Sequence, residues 1–169
     1  MPRRDFLTGT AAFAVLAATG SFLFSRFVGA ANAEEPRSGF PVSKTEDEWR
    51  SQLTKQQFAV LRKEDTERAF TSPLNEEHRK GMFFCAGCDQ AVYASDKKFD
   101  SGTGWPSFWE AVPNAVGTSE DRSFLMLRTE CHCSRCGGHL GHIFDDGPMP
   151  TGKRHCINGV AMTFKPIAA

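Results

Sequence analysis

Two Cys-x-x-Cys pairs, Cys85-Ala-Gly-Cys88 and Cys133-Ser-Arg-Cys136, take four of the six cysteines and leave Cys156 in a separate segment, Arg154-His155-Cys156-Ile157-Asn158. Thiolates at this spacing suit a tetrahedral zinc ion, and a closed four-sulfur site contributes folding free energy directly. The pairs lie 44 residues apart, farther than in a zinc finger, but loop-closure entropy grows only logarithmically with length, so the separation is no obstacle. Cys85, Cys88, Cys133 and Cys136 are therefore expected to hold one structural zinc. The same cysteines could instead form short-range or crossed disulfides in an oxidising compartment. A thioredoxin-like redox pair fits less well, because neither motif opens a helix after a buried parallel strand.

The lone thiol reads differently. If Arg154 to Phe164 is one extended strand, Arg154, Cys156 and Asn158 share a face, since side chains alternate with period two. Positive charge beside a cysteine lowers its pKa and raises the fraction of reactive thiolate. Cys156 could equally be a small buried residue of a core strand, a common fate of a free cysteine, but its polar same-face neighbours argue for chemistry. His139-Leu-Gly-His142, followed by Asp145-Asp146, adds imidazoles able to move protons near neutral pH. Three residues apart, the two rings would face opposite sides of a straight strand; both reach one pocket only if the chain bends, which Gly141 permits. A catalytic zinc site is disfavoured, because the glutamate base and helical i, i+4 spacing of that pattern are missing. Ser101-Gly-Thr-Gly-Trp105-Pro-Ser-Phe108-Trp109 sets glycines before an aromatic wall that could hold a small apolar group, such as a methyl on sulfur, with Trp105 and Phe108 as candidate contacts.

These groups must be positioned by a domain that begins well inside the chain. Arg3 and Arg4 stand together before a mildly apolar run, Gly9 to Phe24, and Ala31-Asn32-Ala33 supplies a small-x-small cleavage pattern. Residues 1–33 thus resemble a twin-arginine export signal, with Glu34 as the mature start and a periplasmic or otherwise exported destination. As a helix the apolar run reaches only about 24 Å, short of the roughly 30 Å hydrocarbon core, which argues against an uncleaved anchor. Twin-arginine export carries folded proteins, in keeping with a thiolate site loaded where thiols stay reduced. Setting the leader aside removes Arg3, Arg4, Arg26 and Asp5 from balanced totals of 20 basic and 20 acidic residues, leaving 17 and 19 in the 136 residues from Glu34 onward, net −2. That balance gives no reason to expect a nucleic acid or an anionic membrane as partner.

Residues 34–44, with Pro36, Gly39 and Pro41, read as a tether, and 45–169 as one domain with its own core. Thr45-Glu-Asp-Glu48 and Thr54-Lys-Gln-Gln57 fit the capping box, and Trp49, Leu53, Phe58 and Leu61 recur near helical spacing, predicting two short helices that end before Thr66. From Gly81 onward short β-type runs follow: Met82–Phe84, Val92–Ala94, Ser123–Glu130, His139–Phe144 and Cys156–Phe164. No helix-length period lies between them to serve as a parallel crossover. The expected fold is mainly β and antiparallel, with both cysteine pairs at hairpin-like turns where zinc can pin strands together.

The stretches CAGC, SGTGWPSFW, CSRCGGHLGHIFDDGP and TGKRHCINGVAMTF, with DEWRSQLTKQQFAVLRKEDTERAF before them, closely resemble the methionine sulfoxide reductase B family over nearly the whole mature chain. The resemblance implies two antiparallel sheets, one structural zinc, and reduction of the R epimer of methionine sulfoxide in proteins or peptides, with electrons from thioredoxin or a thioredoxin-like thiol donor. Carried over by position, it makes Cys156 the nucleophile among His139, His142, Asp146, Arg154 and Asn158. Asp146 would orient a histidine, Arg154 and Asn158 would stabilise developing charge, and Trp105 would receive the substrate methyl. A monomer is expected.

The sequence departs from the family at Thr103, where many members carry the cysteine that resolves the oxidised nucleophile as an internal disulfide. Cys131 is the remaining cysteine and the candidate replacement; it would have to bring its Cα within about 7 Å of that of Cys156. Otherwise it is a buried strand residue and an external thiol does the work. Two rival readings remain: a zinc-ribbon binding module, which would not require Cys156 with Arg154 and Asn158, and a general thiol-disulfide oxidoreductase, whose Cys-x-x-Cys would have to be free of metal.

Overall fold

A computed structural model describes residues 39–123 and 126–167; the predicted export signal lies outside them. Both predicted helices form where their capping boxes place them, α1 over Glu46–Gln52 and α2 over Lys55–Lys63. Thr45 and Thr54 each accept from the backbone N–H three residues on, while Glu48 and Gln57 reach back to the cap, and such a cap is worth about 1 kcal/mol. Trp49, Leu53, Phe58 and Leu61 are all buried, so the helical spacing of the apolar positions marks the inward face.

Among the described residues nine strands follow: β1 Gly81–Cys85, β2 Ala91–Ala94, β3 Lys98–Phe99, β4 Ser107–Phe108, β5 Val116–Asp121, β6 Arg128–Cys133, β7 His139–Phe144, β8 Arg154–Ile157 and β9 Met162–Pro166. They make two sheets, ordered β2-β1-β9 and β3-β4-β8-β7-β6-β5. Every pairing is antiparallel, as the missing crossover helices require. Between the sheets, the ring of Phe108 stacks on Tyr93 at 4.3 Å and meets Phe83 edge-on at 4.9 Å. All three are fully buried, each withdrawing roughly 1.5–3 kcal/mol worth of apolar surface from water.

Two predicted strands are redrawn. Among the described residues of the run Ser123–Glu130, strand begins at Arg128, and its partner is the polar β5, whose sequence Val-Gly-Thr-Ser-Glu-Asp carries no apolar alternation. The run Cys156–Phe164 is broken at Asn158 by a single 3-10 turn over Gly159–Ala161, so β8 belongs to the large sheet and β9 to the small one. The break is held from far along the chain. The buried Glu67 carboxylate accepts from the N–H groups of both Gly159 and Val160, and its own N–H donates to Asn158 Oδ1 at 2.9 Å. Burial pushes the Glu67 carboxyl up, and those two N–H groups oppose the shift.

Candidate active site

The registers align five side chains across one face of the large sheet. Ser119 stands opposite Glu130, Glu130 opposite His142, His142 opposite Cys156, and Cys156 opposite Ser107. Directly opposed residues lie about 4.5–5.5 Å apart at Cα, so His142 on β7 and Cys156 on β8 are direct cross-strand neighbours. Gly141 makes that close pairing possible, since a Cβ there would collide with the Cys156 carbonyl oxygen.

His139 shares this face although it lies three positions from His142, an odd spacing. The device is a β-bulge. Cys131 pairs with Gly141 but His132 pairs with His139, leaving Leu140 as the extra residue of β7 and turning His139 toward His142. Their ring centroids are 5.3 Å apart, and both line a cavity of about 390 Å³ with Asp121, Arg128 and Glu130. The sequence allows for a bend at Gly141; the bend sits one residue earlier.

Each histidine is oriented by its own carboxylate. His142 Nε2 donates to Asp121 Oδ2 at 2.8 Å, and His139 Nδ1 donates to Glu130 Oε1 at 2.9 Å. In the neutral rings these bonds place the proton on His142 Nε2 and His139 Nδ1, leaving His142 Nδ1 and His139 Nε2 as acceptors. His139 is 1% exposed, and its Nε2 has no hydrogen-bond partner among the described residues. Ser123, then His142 and Arg128, hold the Asp121 carboxyl well below the usual carboxylate range. Burial pushes Glu130 up, but His132, His139 and Ser119 more than offset it and keep it ionised. Burial lowers the pKa of His142 and Asp121 raises it, with burial prevailing.

The expectation that Asp146 orients a histidine is therefore corrected. Asp146 grips Arg154 through two bonds, Nε to Oδ1 at 2.8 Å and Nη2 to Oδ2 at 2.9 Å, and the guanidinium lies 4.4 Å from the Phe144 ring centre. Arg154 in turn places its positive charge beside the Cys156 thiol and favours the thiolate. The thiol is nonetheless pushed up by burial, against the pull of Thr103 and Arg154, so the arginine moderates its pKa without bringing it below the ordinary value. Asn158 is 3% exposed, with its amide engaged: Nδ2 donates to the Leu140 carbonyl at 3.1 Å and Oδ1 accepts from Glu67 N–H. It ties β8 to the bulge that aims His139.

Of the two aromatic candidates, Phe108 is corrected to a core residue, closed in by Phe83 and Tyr93 with no exposed surface. Trp105 stays half-buried and lines a cavity of about 300 Å³ with Phe70 and Gly104. Its indole Nε1 donates to the Glu67 carbonyl at 3.0 Å. Glu67, Asp121 and Glu130 were not singled out from sequence. Nothing local marks them, because their partners lie far off or across strands.

Cys131 is corrected as well. It faces the opposite side of the sheet, where it meets Tyr93 Oη at 3.4 Å, and burial pushes its thiol up to about 12. Its cross-strand neighbour is Gly141, which pairs with Ile157, so two strand spacings, about 10 Å, separate it from β8. A disulfide to Cys156 needs Cα atoms within about 7 Å. Thr103 holds the position beside the nucleophile candidate, its Oγ1 3.8 Å from Cys156 Sγ.

The remaining four cysteines converge. Cys85 ends β1 and Cys88 lies in the turn to β2, while Cys133 ends β6 and Cys136 lies in the turn to β7. Their sulfurs all lie within 4.8 Å of one another, with Cys85–Cys136 at 3.7 Å and Cys88–Cys133 at 3.5 Å. A tetrahedron with metal–sulfur bonds near 2.3 Å has sulfur edges of about 3.8 Å, so the donor set fits a metal ion joining the two sheets. All six cysteines are free thiols.

Residues 53–166 match the model of the SelR domain. The peptide methionine sulfoxide reductase MsrB of Agrobacterium fabrum is 51% identical over 127 residues, covering 75% of this chain and 94% of that protein. The MsrB of Methanosarcina barkeri is 52% identical over 125 residues, covering 73% and 88%. The chain belongs to the methionine sulfoxide reductase B family. As a member of it, the protein is an enzyme that reduces methionine sulfoxide, and its mainly β fold with a four-cysteine cluster is the family's. No helix among the described residues is long and apolar enough to cross a membrane.

Proposed function

We infer that this reductase acts on the R epimer of methionine sulfoxide in proteins, with Cys156 as nucleophile, zinc at the four clustered cysteines and a thioredoxin-like thiol as electron donor. The observation that carries the reading is the cross-strand pairing of Cys156 with a histidine whose far nitrogen is anchored by Asp121. In this mechanism the thiol proton passes to His142 Nδ1, where the Asp121 carboxylate stabilises the imidazolium that forms. The thiolate attacks the sulfoxide sulfur, with the methyl group against Trp105. His142 returns the proton to the departing oxygen and the S–O bond breaks; the hydroxide then bonds to the Cys156 sulfur as the new S–S bond breaks, leaving a sulfenic acid on Cys156 and releasing methionine. Thiol and sulfoxide thus become sulfenic acid and thioether with no net change in protons.

Clearing the sulfenic acid falls to an external thiol, since Thr103 cannot form a disulfide and Cys131 is on the wrong face. One donor thiol forms a mixed disulfide and releases water; a second liberates Cys156. Zinc, when bound, supplies structural cross-linking between the sheets and takes no part in these steps. Incubating the full-length chain with separated R and S epimers of an oxidised methionine peptide and dithiothreitol, with metal analysis in parallel, tests this reading. The R epimer is expected to disappear, the S epimer to persist, and one zinc to be found per chain. Consumption of the S epimer, or reduction of disulfides without sulfoxide turnover, would overturn it.

The enzyme is further read as exported, repairing proteins outside the cytoplasm, on the strength of Arg3-Arg4 and the Ala31-Asn32-Ala33 cleavage pattern. Mature chain recovered from the exported fraction is expected to begin at Glu34. Recovery of intact chain from the cytoplasm alone would contradict this route.

A further inference from the structure

Cys156 Sγ is the end of a chain of hydroxyls. Thr103 Oγ1 lies 3.8 Å from the sulfur, Ser101 Oγ 2.8 Å from Thr103 Oγ1, and Ser107 Oγ 2.7 Å from Ser101 Oγ. At the far end Ser107 donates to the Trp105 carbonyl at 3.1 Å. Ser107 has no exposed surface, so its hydroxyl has no solvent alternative.

One proton per hydroxyl fixes the direction of the whole chain. With Ser107 donating to the Trp105 carbonyl, it must accept from Ser101. Ser101 then has only lone pairs left for its neighbours and accepts from Thr103, whose N–H also points at it, at 3.4 Å. Thr103 has given its proton away, so it presents a lone pair to Cys156, a partner suited to the thiol S–H and ill suited to a thiolate.

We propose that the Ser107–Ser101–Thr103 chain reverses when Cys156 ionises, so that each hydroxyl donates toward the sulfur and the Trp105 carbonyl gives up its donor. In the reversed state Ser107 donates to Ser101, Ser101 to Thr103, and Thr103 to the sulfur, each bond polarising the next. The thiol proton leaves toward His142 or water; the chain carries none away, since it ends on an amide carbonyl. After turnover the same orientation donates to the sulfenic acid, holding it in place for the external thiol. The proposal rests on the reading of Cys156 as nucleophile. It makes Thr103 a catalytic residue in contact with the reacting sulfur, and Ser101 and Ser107 positioning residues that act through it.

The test reads the thiol directly. Iodoacetamide labelling of Cys156 in the full-length protein is followed against pH, with the tryptic peptide 155–169 quantified by mass spectrometry. Arg154 on β8, His142 on β7 and Asp146 behind Arg154 also face the thiol and are kept in every variant. Thr103→Val is expected to move the labelling midpoint up by about one to two pH units, the value of a hydrogen bond to a charged group, and Thr103→Ser to restore it. Ser107→Ala is expected to move the midpoint down by up to about one unit, because ionisation no longer strips the Trp105 carbonyl of its donor. A wild-type midpoint in Thr103→Val, or an upward shift in Ser107→Ala, would overturn the reversal. Turnover of Cys156→Ser separates the two levels: if it persists, the nucleophile reading fails whatever the labelling shows, and if it is lost while the midpoints stay put, only the hydroxyl chain fails.

Discussion

Replacing Cys156 with serine is expected to lower sulfoxide turnover by a factor of about a thousand or more while leaving the fold and the bound metal unchanged. The effect is large because the reaction needs a sulfur that can take up oxygen and hand it on. A serine hydroxyl stays protonated at neutral pH, and it can neither become a sulfenic acid nor join a mixed disulfide. The fold should not notice the change. The thiol is half-buried, and its neighbours, Thr103 Oγ1 at 3.8 Å and the Arg154 guanidinium, are hydrogen-bonding groups that a hydroxyl also satisfies. Substitutions of this kind usually change stability by less than about 1 kcal/mol. Single-turnover assays with the R epimer, read beside circular dichroism and zinc content, check all three parts. Turnover by the serine protein at a rate comparable to wild type would remove Cys156 from the mechanism and reopen the role of every group in its row.

The pairing that makes this site is only partly legible in the residues that form it. His139–Phe144 could be read as a strand from its local pattern, and Thr45 and Thr54 marked the helix starts, because these features are decided within a few residues of chain. What places Cys156 beside His142 is a register across strands 14 positions apart, and what turns His139 onto the same face is a bulge that exists only against β6. Periodicity could state the conflict, two histidines at an odd spacing, but not resolve it. The same limit explains the carboxylates. Asp145 and Asp146 follow both histidines closely in sequence, and the family resemblance points to Asp146 as the one that orients a ring. Asp121 does so instead, since β5 and β6 bring it to β7, and β5 has no apolar alternation by which a strand could be found.

Phe108 and Cys131 went astray for a related reason. Beside Trp105, Phe108 reads as one more residue of an aromatic wall, but Ser107 and Phe108 form a two-residue strand that pairs with Cys156 and His155. Alternation then sends Ser107 to the face of Cys156 and Phe108 into the core, so the serine, with no obvious signal, is the one that reaches the site. Cys131 fails as a partner for Cys156 on the same parity argument: it shares its face with the neighbourhood of His155, one residue from Cys156 and on the opposite side. The residues that could do chemistry were visible from their types, and which of them meet was decided by sheet register.

The metal cluster should show the opposite sensitivity. Cys85→Ala is expected to abolish stoichiometric zinc binding and to lower the midpoint of thermal unfolding by about 20 °C or more, or to leave no cooperative transition at all. Structural zinc in small domains contributes roughly 10–16 kcal/mol, against a total stability of about 5–15 kcal/mol for a domain, so losing a ligand removes a share comparable to the whole margin. The topology adds a reason specific to this fold. Cys85 and Cys88 belong to the β1–β2 end of the three-stranded sheet, Cys133 and Cys136 to the β6–β7 end of the six-stranded one, and the cluster joins the two. Cys85 is 1% exposed, so its removal also leaves a hole where the three other cysteine sulfurs crowd together. Turnover would fall with the fold, whereas in Cys156→Ser it falls alone, and that contrast separates a structural set of sulfurs from a chemical one. A zinc-free Cys85→Ala protein that melts at the wild-type temperature would mean that the sheets hold together by their shared core, and that the four cysteines contribute little to stability.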